Sequence, residues 1–128
     1  MGSDQTPEAP AALVVEDEAL LLMLVAETLR DAGYVVYEAG DGVAALSHLQ
    51  NRPEIALMIS DIRMPGMNGY EVTEAAISLR PDLRVLLMTG YTQEAIPKSI
   101  AEAGIEILHK PFDVDQVPLM ANRILNRH

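Results

Sequence analysis

The chain has 128 residues, 49% of them apolar, with four Tyr and one Phe, no cysteine and a formal net charge of −10. That length suits one domain with an aliphatic core, burying roughly two thirds of its unfolded surface. The composition excludes disulfides and thiolate metal sites, offers no basic face for nucleic acid, and holds no apolar run longer than Ala19 to Ala26, far too short to span a bilayer.

Residues 1–10, MGSDQTPEAP, lack periodicity, hold two prolines and read as a disordered tail. No leader of basic, apolar and small residues opens the chain, so a cytoplasmic protein is expected, away from the membrane. From Ala11 onward short aliphatic runs alternate with patterns of period 3.6. Strands are expected over 11–15, 34–38, 55–60, 84–88 and 105–108. Gly33 stops the first helix. Asp41 caps the second, which ends at Asn51 before Pro53. Asn68 or Gly69 opens the third, and Pro81 closes it. Pro97 delays the start of the fourth. Asp113 with Gln116 forms a capping-box pattern for the fifth, which Pro118 is expected to bend. The methionines Met23, Met58, Met88 and Met120 read as core filler.

Five β-α units whose strands are apolar on both faces imply an α/β fold: a doubly wound, five-stranded parallel sheet with five helices. In the flavodoxin-like order 2-1-3-4-5, ligands bind beyond the carboxyl ends of strands 1 and 3. Glu16-Asp17-Glu18 follows the first of these, and Asp61 ends the third. Thr89-Gly90 ends the fourth strand, and Lys110-Pro111 follows the fifth. Carboxylates gathered in one crevice either take up protons or bind a cation. An all-oxygen donor set favours a hard ion such as Mg²⁺. Beside such an ion, an ammonium group and a hydroxyl, a carboxylate is suited to accept a phosphoryl group. The apolar run Leu57-Met58-Ile59 therefore delivers a nucleophile, Asp61, and the Met64-Pro65-Gly66 turn exposes it.

Four segments, LVVEDE, ISDIRMPGMNGYE, LLMTGY and LHKPF, in this order and spacing, resemble the receiver domain of two-component response regulators. The resemblance covers about residues 11 to 126 and makes 11–128 the receiver domain. It implies that Asp61 is the phosphoacceptor, Asp17 a direct Mg²⁺ ligand and Glu16 a ligand acting through water. The backbone carbonyl of Arg63 completes the protein ligands, Thr89 is the switch hydroxyl, and Lys110, before a cis Pro111, binds the phosphoryl group. The implied partners are a histidine kinase or phosphotransfer protein, and a downstream protein docked on the helix 4, strand 5, helix 5 face. One departure concerns the switch. The aromatic residue that such domains carry three positions before the lysine is replaced here by Ile107, and Tyr91 is the nearest aromatic candidate to take over.

Two other functions fit parts of the pattern. A protein-interaction module on the same fold, never phosphorylated, is compatible with Ile107 and the irregular prolines. A phosphatase with an aspartyl nucleophile calls for a second acid two residues after it, where Arg63 stands.

Overall fold

A computed structural model describes residues 9–64, 66–90 and 96–126. The elements alternate in chain order: β1 (Ala11–Val15), α1 (Ala19–Asp31), β2 (Val35–Ala39), α2 (Gly42–Asn51), β3 (Ile55–Asp61), α3 (Gly69–Leu79), β4 (Arg84–Thr89), α4 (Lys98–Glu102), β5 (Glu106–His109) and α5 (Gln116–Leu125). All strand pairs are parallel, in the order β2-β1-β3-β4-β5. The expected tail falls largely on residues 1–8, outside the described residues; the Pro10 carbonyl already joins the sheet, accepting from the Val35 amide at 2.9 Å.

The sheet divides two apolar layers, and the period-2 alternation of strands assigns residues to each. Ala12, Val14, Leu57, Ile59, Leu86 and Met88 pack under α1 and α5 with Val25, Leu29, Val117 and Ile124. Leu13, Val15, Met58, Val85 and Leu87 pack on the other side with Ala45, Leu49, Val72 and Ala76. Between Ala11 and Ala12 the register against β3 shifts by one residue, a bulge that the sequence pattern does not signal.

The helix signals hold with adjustments. The Asp41 carboxylate accepts from the Ala44 amide, and Asn68 forms a reciprocal capping box with Glu71. β2 begins at Val35, one residue later than expected, because the Tyr34 amide is spent on the Leu29 carbonyl and closes α1 instead. Gly33, at φ 100°, makes that turn. β5 is likewise one residue late, after a turn at Gly104 with φ 71°. α5 starts at Gln116. The Gln116 side chain accepts from the Asp113 amide, but the Asp113 carboxylate accepts from Asp115 rather than from Gln116, so half of the expected box forms a turn ahead of the helix. This places Pro118 in the first turn of α5, where an amide has no partner within the helix, and the expected bend gives way to one unbroken helix. Met58 and Met88 are fully buried, but Met23 lies on the exposed side of α1 with Leu20 and Leu24, and is not core filler.

Candidate functional site

The polar groups singled out above meet at the carboxyl ends of β1, β3, β4 and β5. Asp61 is the last residue of β3, and the ladder runs one step beyond it, since the Ile62 amide donates to the Met88 carbonyl at 3.0 Å. Asp61 is thus held by backbone on both sides, and it is 5% exposed. Its Oδ2 lies 3.1 Å from Lys110 Nζ, and its Oδ1 faces the Arg63 amide at 3.4 Å, a long contact.

Glu16, directly after β1, is 1% exposed. Its backbone amide donates to the Ala39 carbonyl at the end of β2, so β2 anchors one of the acids of the site. The Glu16 Oε2 accepts from the Glu18 amide at 3.0 Å; Oε1 has no hydrogen-bond partner and lies 3.6 Å from Lys110 Nζ. Burial raises this carboxyl to about 7, helped by the nearby Asp61 charge and opposed by the Glu18 amide and Lys110. Burial pulls Lys110 the other way, but hydrogen bonding and attraction to Asp61 and Glu16 outweigh it and hold the ammonium above its ordinary value.

Asp17 is exposed. Among the described residues, ligand oxygens of Glu16, Asp17 and Asp61 lie within 4.8 Å of one another, the only oxygen-rich group of this kind. Every donor in it is a carboxylate oxygen, one of them buried and without a hydrogen-bond partner. That set fits a hard divalent cation. Thr89 ends β4, buried, and its carbonyl accepts from the Lys110 amide at 2.6 Å. The Lys110-Pro111 peptide is cis. Asp61, Arg63, Gly90 and Lys110 line an open cleft of about 440 Å³. Arg63 is exposed on its rim. Ile107, in β5, is half-buried against the α2 and α3 layer. Tyr91 lies outside the described residues.

One residue beside Asp61 carries, in the sequence, only the signal of a helix opener. Gly69 is buried, its amide donates to the Ile62 carbonyl at 2.7 Å, and a Cβ at this position would stand 2.5 Å from the Asp61 carbonyl oxygen and 2.7 Å from Ile62 Cα. Both obstacles are backbone. Only glycine lets the first turn of α3 seat directly on the Asp61–Ile62 peptide. The signal available in the sequence was a glycine, a poor helix former, inside the first turn of a helix with a good cap before it.

Comparison with known proteins gives a consistent result. The family described as the response regulator receiver domain matches residues 12–122. The response regulator receiver protein CpdR of Brucella abortus is 35% identical over 101 residues, which are 78% of this chain and 83% of that protein. The sensor kinase CckA of the same organism is 31% identical over 117 residues, 90% of this chain but only 12% of the kinase. Among solved structures, the response regulator TrrA of Thermotoga maritima, crystallised with Mg²⁺ and BeF, is 30% identical with a TM-score of 0.79, covering 89% of this chain and 97% of that one.

Proposed function

Because the chain belongs to the response regulator receiver domain family of two-component signalling, we propose that it is a switch that accepts a phosphoryl group on Asp61 from a histidine kinase or phosphotransfer protein. The observation that carries this reading is the pairing of a buried Asp61 with Lys110 at 3.1 Å, in a cleft open to a donor. An Asp61 carboxylate oxygen attacks the phosphorus of a phosphohistidine, the P–N bond breaks, and its electron pair leaves with the imidazole, which takes up a proton. The Lys110 ammonium, already poised between Asp61 and Glu16, follows the negative charge onto the phosphoryl oxygens. Thr89 supplies a hydroxyl to the same group from the neighbouring strand.

Glu16, Asp17, Asp61 and the Arg63 carbonyl are the residues that would hold Mg²⁺. Bound there, the ion would offset the acids and stabilise charge on the transferred group. Glu16 contributes from beneath, as a buried acid tied down by the Glu18 amide, and Asp17 from the solvent side. We assign residues 11–128 to this receiver unit. The only catalysis it performs is on its own phosphorylation and dephosphorylation, and its output passes to a protein bound on the α4–β5–α5 face. At β5 a branched aliphatic side chain, Ile107, stands where such domains carry an aromatic ring, which leaves Tyr91 as the aromatic candidate to follow the Thr89 hydroxyl.

Intact-mass measurement after incubation with acetyl phosphate tests the reading, with and without Mg²⁺, on wild type and on Asp61→Asn. One added phosphoryl group, dependent on Mg²⁺ and absent from the variant, is expected. If wild type gains no mass, and Mg²⁺ with beryllofluoride moves no resonance around Thr89, the chain is an unphosphorylated interaction module.

A further inference from the structure

Among the described residues, the order β2-β1-β3-β4-β5 leaves β2 with one unpaired edge. The register against β1 and the hydrogen bonds at its two ends fix which groups face outward. The Val35 amide donates to the Pro10 carbonyl, and the Ala39 carbonyl accepts from the Glu16 amide. In a parallel ladder alternate residues turn to opposite neighbours, so Val35, Tyr37 and Ala39 serve β1. The amides and carbonyls of Val36 and Glu38 point away from the sheet. Such a row is a template for another strand.

Both outward carbonyls are occupied. A guanidinium nitrogen of Arg30, from α1, donates to the Val36 carbonyl at 3.0 Å and also pairs with the Glu38 carboxylate at 2.9 Å. The His48 Nε2, from α2, lies 3.0 Å from the Glu38 carbonyl. A carbonyl can only accept, so this nitrogen carries the proton. The ring is itself set by Tyr37, whose centroid lies 5.7 Å away. α1 and α2 cover opposite faces of the sheet. One side chain therefore reaches round the edge from each face, and together they take the two acceptors that an added strand would need.

We propose that Arg30 and His48 are guards of the β2 edge, which keep a second copy of this chain from pairing with it. A second copy is the natural intruder because an edge is self-complementary: two β2 strands related by a two-fold axis pair antiparallel through the same four residues, giving a continuous ten-stranded sheet. Val35, 44% exposed at the start of this strand, adds apolar surface to the seam. The net charge of −10 opposes the approach of copies and sets the conditions of the test.

The test compares wild type, Arg30→Ala/His48→Ala and the donor-retaining Arg30→Lys/His48→Gln at 0.15 M salt or above, by sedimentation velocity and by amide hydrogen exchange at low and high protein concentration. The alanine pair is expected to form dimers whose Val36 and Glu38 amides exchange at least tenfold more slowly at high concentration, with Val35 and Tyr37 unchanged. Wild type and the donor-retaining pair are expected to stay monomeric at this edge. A folded alanine pair that remains as monomeric as wild type overturns the proposal, as does a dimer in which Val36 and Glu38 gain no protection. Should the pair not fold, each single alanine variant must show a concentration-dependent part of the same protection; its absence in both also overturns the proposal. None of these readouts requires phosphorylation, so they stand or fall apart from the role of Asp61.

Discussion

The two ends of the sheet solve the same problem in opposite ways. At the amino end of β3, Arg80 donates to the carbonyls of Arg52, Pro53 and Ile55, the last at 2.8 Å, and Arg84 at the start of β4 donates to the Ile124 carbonyl at 2.7 Å. Cations there satisfy backbone, and the chain is tied off. At the carboxyl end, three carboxylates crowd together beside Lys110, one buried oxygen has no hydrogen-bond partner, and burial raises one acid to about 7. Polar satisfaction is a source of stability, and its absence is a cost that persists only where something else demands it. The contrast sets an end that holds the fold against one that, in the proposed function, reacts.

The sharpest break of that contrast is Gly69→Ala. The added methyl meets backbone rather than the flexible end of a side chain, so either α3 withdraws or the Asp61–Ile62 peptide moves. Overpacking of this kind costs about 2–3 kcal/mol, and displacing a nucleophile by a fraction of an ångström lowers the rate roughly tenfold or more. The expected result is a fall in both the denaturation midpoint and the acetyl phosphate labelling rate. Leu49→Ala, a cavity in the core on α2, should match the stability loss and leave labelling intact. Equal labelling in both variants would remove Gly69 from the site.

The second measurement concerns Glu16. Its folded value of about 7 lies above the ordinary 4.5, so the folded protein holds a proton that the unfolded chain has released. Stability without Mg²⁺ therefore falls as pH rises from about 4.5 to 7, by an amount on the order of 3 kcal/mol. Glu16→Gln should remove this part of the slope and be the more stable protein above pH 7. Saturating Mg²⁺ should lift wild type most at high pH, where the carboxylate is charged, and the variant less. Denaturant titrations at several pH values, with and without the ion, check all three statements.

Much of the reactive end was legible because its signals are local: an acid or lysine placed directly after an aliphatic run is where a strand ends, and parallel strands end together. Asp61, Thr89 and Lys110 are placed at one end of the sheet by this signal. The cation-tied end was not legible. Arg80 reads as an ordinary exposed residue at a helix end, and its three carbonyl partners come from the turn before β3 and the first residue of that strand, some 25 residues earlier, a meeting that no periodicity announces. Gly69 was visible as punctuation but not as contact, since its meaning depends on how closely α3 approaches β3. Tyr34 misled for a related reason: an aromatic residue before Val35-Val36 reads as strand, yet its amide belongs to α1 and its hydroxyl bonds Asn122 on α5.

Arg80→Ala probes the quiet end and carries the smallest effect. The guanidinium is half-buried and its bonds to Arg52 and Pro53 are exposed, so water replaces it readily at two of three carbonyls. The Ile55 carbonyl, at the first residue of β3, is partly shielded and keeps a real penalty when its donor is lost. Together these set the cost at about 1–2 kcal/mol, read as a lower denaturant midpoint with an unchanged slope. Phosphoryl uptake should not change, because β3 is buried along its length and pinned by β1 and β4, and its far end is fixed by the Ile62–Met88 bond and by Gly69. A loss of labelling in Arg80→Ala, with the fold intact, would mean that strain at one end of β3 reaches Asp61 at the other. The division of the sheet into a holding end and a reacting end would then fail, and β3 would have to be treated as a lever joining them.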